Sequence, residues 1–119
     1  MRHRAKTSKL GRTGDQRAAL MRAQATSLMQ RGRLVTTTAK AKVLRGYAER
    51  LVSRARVDNP STRREAAKKL YTPEAVTKLF TVIAPKFKDR PGGYLRLVKL
   101  GQRKGDGAPL TLVEFVEQI

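Results

Sequence analysis

The first half of the chain contains two segments in which apolar residues recur at helical spacing. The first ends at Arg31 and carries Ala18, Met21, Ala25 and Leu28 on one face. Its start, Thr13 to Gln16, has the spacing of a capping box, and Gly32 is suited to the left-handed conformation that follows many helices. The second segment, residues 39–57, has a longer apolar stripe: Ala41, Leu44, Tyr47, Ala48, Leu51, Val52 and Ala55. We therefore predict two amphipathic helices, the second capped by Thr37 or Thr38.

The remaining patterns predict three short strands and two further helices. β-Branched or alternating stretches place strands at residues 34–37, 94–100 and 110–116. Asn59-Pro60 starts a third helix that runs to about Leu70, and Thr72-Pro73 starts a fourth that ends before Pro85. The resulting order is α-β-α-α-α-β-β. It predicts an α+β fold of two layers, with the helices packed on a small three-stranded sheet. Arg96 and Lys99 fall on opposite faces of their strand, so the pattern leaves the buried face open.

The length and charge of the chain limit the number of domains and the kind of partner that it can bind. The chain has 119 residues, enough for one domain, with 27 Lys and Arg against nine Asp and Glu and a net charge of +18. Residues 1–12 contain five of these cations, no acid and little that could be buried. We expect residues 1–12 to form a basic N-terminal arm that orders on a partner, and residues 13–119 to form a single domain.

Most kinds of catalytic or cofactor site lack the residues that they need. The chain has no Cys and a single His, so thiol chemistry, zinc sites and a Ser/His/Asp triad are disfavoured. No carboxylate pair stands beside a candidate base, and the glycine-rich stretches do not open a helix of a βαβ unit. No apolar run is long enough to span a membrane. We therefore expect neither an enzyme nor a metal, cofactor, small-molecule substrate or membrane partner.

With these kinds of site disfavoured, positively charged surface is the main functional signal. It indicates that the protein recognises the backbone and shape of a structured polyanion. Arg outnumbers Lys by 16 to 11, which favours phosphate contacts, whereas the few aromatic residues argue against a reader of single strands. Phe80, Phe87 and Phe115 are expected in the core. Folded RNA and duplex DNA both fit this reasoning, so a DNA-compacting architectural protein is the alternative. A helix-turn-helix reader is disfavoured because its recognition helix would carry only Lys78.

The candidate contacts fall into three groups. The arm supplies cationic side chains and the only histidine: Arg2, His3, Arg4, Lys6, Lys9 and Arg12. Lys40, Lys42 and Arg45 lie near the start of the second helix, where the helix dipole disfavours cations, so they indicate a negatively charged partner. The third group surrounds a pair of glycines that would allow close approach of a backbone: Arg90, Gly92, Gly93, Arg96, Lys99 and Arg103.

Several motifs resemble one known family. They are Met1-Arg2-His3-Arg4, Thr36-Thr37 followed by Lys40-Ala41-Lys42, Arg90-Pro91-Gly92-Gly93-Tyr94, and the stretch from Arg103 to Pro109. Together they resemble the bacterial large-subunit ribosomal protein L-seventeen family over nearly the whole chain. The Arg-Pro-Gly-Gly-Tyr block is the most specific of them. Gln16 departs from the family, because many members carry His before the residue equivalent to Arg17.

The resemblance implies a structural, non-catalytic component of the large ribosomal subunit. It implies binding to large-subunit ribosomal RNA, with Arg17 among the contacts, and a two-layer α+β fold in agreement with the pattern above. It also implies a place near the exit of the nascent-peptide tunnel beside other ribosomal proteins, and therefore a cytoplasmic location in the ribosome.

Overall fold

The computed structural model of the protein describes residues 14–119. Helix α1 spans Gly14–Arg31, strand β1 spans Arg33–Thr37 and helix α2 spans Thr38–Ala55. Gly32 ends α1 with a φ of +81°, and its N–H donates to the carbonyl oxygen of Leu28 at 2.7 Å. The predicted glycine stop is confirmed. Ala18 is exposed rather than part of the apolar face, and Thr13 lies outside the described residues.

The start of α2 differs from the prediction of a threonine cap. Thr37 occupies the cap position, but its side chain makes no capping hydrogen bond. The hydroxyl of Thr38 instead lies 2.8 Å from that of Thr111 and 3.4 Å from the carbonyl oxygen of Pro109. Because this hydroxyl bonds to the sheet and not to its own helix, it fixes the first turn of α2 against the strand that contains Thr111.

Two short helical segments follow α2, and both begin as the sequence predicts. Helix α3 spans Pro60–Ala67, and Asn59 and Thr62 form a complete capping box at its start. Helix α4 spans Pro73–Lys78 and is capped by the hydroxyl of Thr72. Helix α3 ends at Ala67, before the predicted end at about Leu70, although the N–H groups of Lys69 and Leu70 still donate to the carbonyl oxygen of Ala66 at 2.9 and 3.0 Å.

The fourth helix does not end before Pro85, so that prediction is wrong. A π-helical turn, Leu79–Ile83, continues α4, and a last turn of α-helix, α5, spans Ala84–Lys86. The N–H of Ala84 donates to the carbonyl oxygen of Leu79, one residue further back than in an α-helix. Pro85 then stands at the start of a new α-helical turn, where its missing N–H is tolerated.

The sheet has the order β1-β3-β2 and is antiparallel throughout. Strand β2 spans Leu95–Gln102 and the central strand β3 spans Pro109–Phe115. Strand β2 is longer than predicted because Gly101 and Gln102 still pair with β3 beyond an irregularity in register after Lys99. The face turned toward the helices carries buried residues from all three strands: Thr36, Leu95, Thr111, Val113 and Phe115. This settles which face the pattern had left open.

The core lies between this face of the sheet and the helices. Leu28 and Met29 of α1, together with Leu44 and Val52 of α2, are fully buried there. The rings of Phe87 and Phe115, 5.8 Å apart, and of Phe87 and Tyr94, 5.1 Å apart, close the end of the core beside β2. The predicted burial of Phe80, Phe87 and Phe115 is confirmed, as is the two-layer α+β fold.

We expect Leu44→Ala to lower the free energy of unfolding by about 2–5 kcal/mol, because truncation of a buried leucine loses transfer free energy and packing. Urea unfolding at neutral pH measures the loss. Leu100→Ala, at a half-exposed position, serves as the control and should change stability by less than about 0.5 kcal/mol. Equal losses in both variants would show that α2 does not anchor the core.

Candidate nucleic-acid interface

Three of the lysines that the sequence predicts to contact a polyanion lie at one end of the sheet, where β2 and β3 are joined. Lys40 and Lys42 stand in the first turns of α2, whose start is bonded to Thr111 of β3. Lys99 of β2 pairs with the same Thr111 in the sheet register. No carboxylate of residues 14–119 forms a salt bridge with any of the three. We call Lys40, Lys42 and Lys99 the hairpin-end lysines.

Arg103, at the same end, is held by a carboxylate of its own loop. Its Nε and Nη2 donate to the two carboxylate oxygens of Asp106 at 3.1 and 2.5 Å. Asp106 also accepts the N–H of Ala108 at 3.1 Å. This arrangement closes the turn between β2 and β3, so the first role of Arg103 in the free chain is to shape the hairpin.

Arg45 lies further along α2 and faces Glu49 one helical turn away, with 3.9 Å between Nε and Oε2. The same carboxylate oxygen accepts the N–H of Leu95 at 3.3 Å. Arg45 is therefore next to a carboxylate that joins α2 to the start of β2. Arg45 therefore differs from the hairpin-end lysines, with which sequence spacing had grouped it, because a carboxylate lies within salt-bridge distance.

The other end of the sheet carries a second group of arginines. Arg96 forms a salt bridge with Glu114 at 3.0 Å, and Arg33 lies opposite the same Glu114 on the other side of β3. Arg31, Arg33 and Arg96 line one surface cavity of about 390 Å³. Arg90 lies 3.7 Å from Glu117. The sequence pattern did not single out Arg31 and Arg33 as candidate contacts, although both stand next to Gly32, the residue that ends α1.

The two glycines between Arg90 and Arg96 differ from each other. Gly93 has a φ of +65°, a conformation that side chains disfavour, so the turn into β2 requires a glycine there. Gly92 has no such φ, and a Cβ added to it would meet no atom within 4 Å. The described fold therefore gives a reason for Gly93 and none for Gly92.

A further basic surface, also missed in the sequence, is formed by α2 and α3. Arg50 of α2, Arg64 of α3 and Lys68 just after α3 are exposed, and no salt bridge of the described chain includes them. The adjacent cations Arg63-Arg64 and Lys68-Lys69 are visible in the sequence. That they belong to a basic surface becomes clear only from the packing of α3 beside α2.

The other predicted contacts lie at or before the start of α1. Arg17 is half-buried in the first turns of α1 and has an interaction partner. The arm residues Arg2, His3, Arg4, Lys6, Lys9 and Arg12 lie outside the described residues, so their contacts stay predictions. Within residues 14–119 no group of three or more His, Cys, Asp or Glu is placed to hold a metal ion. The described helices include none that is long and apolar enough to cross a membrane.

These features define a small, strongly basic α+β protein whose cations are divided between paired and unpaired groups at both ends of one sheet. Comparison with known proteins is consistent with that class. The profile of the family described as Ribosomal protein L17 matches residues 20–116. The chain belongs to this family.

Three curated relatives match over almost their whole length. The large ribosomal subunit protein bL17 of Thermomicrobium roseum is 51% identical over 116 residues, which cover 98% of this chain and 99% of the relative. The bL17 protein of Gemmatimonas aurantiaca is 47% identical, with 98% of each chain covered. That of Trichlorobacter lovleyi is 46% identical over 99% of this chain and 95% of its own. The resemblance inferred from the motifs is thereby confirmed.

The Arg103–Asp106 pair makes a prediction about pH. The hydrogen bond from Arg103 is the main reason why the pKa of Asp106 is lowered to about 2, from an ordinary value of 3.8. A carboxyl whose pKa is lowered in the folded state stabilises that state above its ordinary pKa, and the contribution is lost as the pH falls toward 2. We expect the carboxyl carbon of Asp106 to titrate by NMR with a midpoint of about 2.

Arg103→Gln should return that midpoint to the ordinary range. Lys104→Gln is the matched control, because it removes a neighbouring charge without the hydrogen bond, and it should leave the midpoint unchanged. A midpoint still near 2 in Arg103→Gln would show that the N–H of Ala108 alone holds the carboxylate.

Proposed function

We propose that this protein is a structural constituent of the large ribosomal subunit that binds folded large-subunit ribosomal RNA through phosphate and shape contacts. The main support is the set of cations that have no carboxylate partner in the described fold although the chain carries +18. Family membership supports the ribosome as the place of action. The role is non-catalytic and is carried out in the cytoplasm, within the ribosome.

Two surfaces and the arm share the RNA contacts in this proposal. The hairpin-end lysines bind phosphates directly, because no internal salt bridge has to be broken first. Arg31 and Arg33 act in the same way at the opposite end, with Arg90 and Arg96 beside them. The arm, residues 1–12, adds the contacts expected from its charge, and Arg17 adds the contact that the family resemblance implies. The site near the tunnel exit, beside other ribosomal proteins, is also part of the proposal, and cross-linking in assembled subunits tests it.

Salt-titrated binding tests the proposal against DNA compaction. If about eight phosphates are neutralised, the slope of log K against log salt concentration is about −7. Folded large-subunit ribosomal RNA should compete better than random duplex DNA at equal phosphate concentration, because shape adds to charge. Equal competition by the duplex would favour the DNA-compacting alternative, and a flat salt response would reject both.

Replacement of the hairpin-end lysines by Gln should make the slope less steep by about 3, one for each lost phosphate contact. The melting temperature should stay the same or rise slightly, since Lys40 opposes the dipole at the start of α2 and none of the three is in a salt bridge. Binding isotherms at several salt concentrations, with thermal melts, measure both effects.

The control triple variant carries Gln at Arg63, Lys78 and Lys86. It removes the same number of positive charges from side chains that already bind Asp58 or backbone carbonyl oxygens. It should reduce stability while changing the salt slope less. A control that weakens RNA binding as much as the hairpin-end variant would mean that overall charge, and not position, determines affinity.

The glycine pair gives a second prediction. Gly93→Ala should lower the free energy of unfolding by about 1–2 kcal/mol, because alanine disfavours the left-handed conformation. Gly92→Ala should leave stability unchanged or slightly higher, yet weaken RNA binding several-fold if RNA approaches the backbone closely there. Urea unfolding and RNA binding of the two variants separate these roles. Wild-type affinity in Gly92→Ala would show that the glycines serve only the turn.

A further inference from the structure

A cleft between α2 and α3 is the feature that the proposed function does not yet use. It has a volume of about 140 Å³. Its inner wall is apolar and consists of Leu51, Ala55, Ala66 and Phe80, all of them buried by the surrounding helices. An apolar recess of this kind suits a flat, weakly polar group better than a phosphate or a hydrated ion.

The rim of the cleft is cationic. Arg50, Arg54 and Lys69 line it. Arg54 is bound to Glu65 across the cleft, whereas the exposed Arg50 is in no salt bridge within the described fold. A ligand that fills this cleft therefore combines an apolar face with negative charge close beside it.

One wall of the cleft is an aromatic ring held in a fixed orientation. The hydroxyl of Tyr47 on α2 donates to the carbonyl oxygen of Lys69, just after α3, at 2.8 Å. This hydroxyl is protonated at neutral pH, as in an ordinary tyrosine, and burial raises its pKa further above the usual value of 10.0. The ammonium group of Lys69 lies 5.9 Å from the centre of the same ring. Ring and cation are thus both placed before any ligand binds.

We propose that this cleft binds one unstacked nucleotide of RNA, with the base against Tyr47 and the apolar wall and its phosphate on Arg50 and Lys69. Proteins recognise unpaired RNA bases by placing them against aromatic rings and arginine, with phosphates bound by nearby cations. An acidic peptide would satisfy the rim but would leave the apolar wall unfilled. The inference rests on the proposed function, because it assigns one more contact on the RNA that the basic surfaces bind.

NMR of the full chain with isotopically labelled methyl groups tests the site directly. Adenosine 5′-monophosphate at millimolar concentration should shift the methyl signals of Leu51, Ala55 and Ala66 in a saturable way. Ribose 5-phosphate, which has the phosphate but no base, should leave those signals in place. Equal shifts with both compounds, or no saturable shift with either, would overturn the proposal.

Two pairs of variants test the same cleft with large-subunit ribosomal RNA as the ligand. Ala66→Leu fills the cleft, and Ala67→Leu places the same side chain on the exposed neighbour. Arg50→Gln removes a rim cation, and Arg64→Gln removes an exposed cation of α3 that does not line the cleft. Within each pair the first variant should bind large-subunit ribosomal RNA at least about fivefold more weakly than the second, because Ala66→Leu excludes the stacked base and Arg50→Gln removes a cation that binds its phosphate.

The arginine pair keeps the test valid if Ala66→Leu fails to fold. Equal affinities within the arginine pair, with wild-type binding still strong and salt-dependent, would overturn the cleft and leave the proposed function intact. Failure of the wild-type chain to prefer ribosomal RNA over duplex DNA would instead contradict the proposed function, whatever adenosine 5′-monophosphate does to the cleft.

Discussion

Mutual repulsion of positive charge is the constraint on which the rest of this structure depends. The chain of 119 residues carries twenty-seven cationic side chains and nine carboxylates, and six of those carboxylates are in salt bridges within residues 14–119. Three of the six stand where elements meet: Glu49 joins α2 to β2, Asp58 lies just before α3, and Asp106 lies in the hairpin loop. These three negative charges therefore stabilise junctions, while the hairpin-end lysines, Arg31 and Arg33 have no salt bridge within residues 14–119.

Exposed salt bridges contribute little each, typically below about 1 kcal/mol, so they cannot by themselves hold the fold against this repulsion. The apolar layer between α1, α2 and one face of the sheet has to do so. The hydroxyl pair of Thr38 and Thr111 then fixes one end of α2, and the cluster of Phe87, Tyr94 and Phe115 closes the other. A polyanion that neutralises the unpaired cations would relieve the repulsion that remains. Stability and RNA binding are linked through the same charges.

What the sequence predicted well depends on local chemistry. The stop at Gly32, the Asn59 capping box and the apolar stripe of α2 each follow from residues a few positions apart. The π-helical turn before Pro85 depends on how Leu79, Phe80 and Ile83 are buried against other elements, and a linear pattern does not contain that information. The extra length of β2 likewise depends on its partner strand.

For the candidate site, too, residue types could be predicted from the sequence, whereas the contacts between side chains could not. Lys40, Lys42 and Lys99 stood out in the sequence, but only the sheet register shows that they lie at one end. The sequence could not show that Arg103 is bound to Asp106, nor that Arg50 and Lys69 share a cleft, because both facts depend on loop and helix packing. Residue types were visible early, whereas the difference between paired and unpaired cations required the three-dimensional arrangement.

The central claim is that cations without an internal partner bind RNA and paired cations do not. The chemical reactivity of individual lysines measures this difference most directly. The full chain is acetylated free and bound to large-subunit ribosomal RNA, and mass spectrometry gives the ratio of the two rates for each lysine. The account predicts strong protection of Lys40, Lys42 and Lys99 and little change at Lys78 and Lys86, whose amines already bind backbone carbonyl oxygens. Uniform protection of all five, or protection of Lys78 and Lys86 alone, would contradict it.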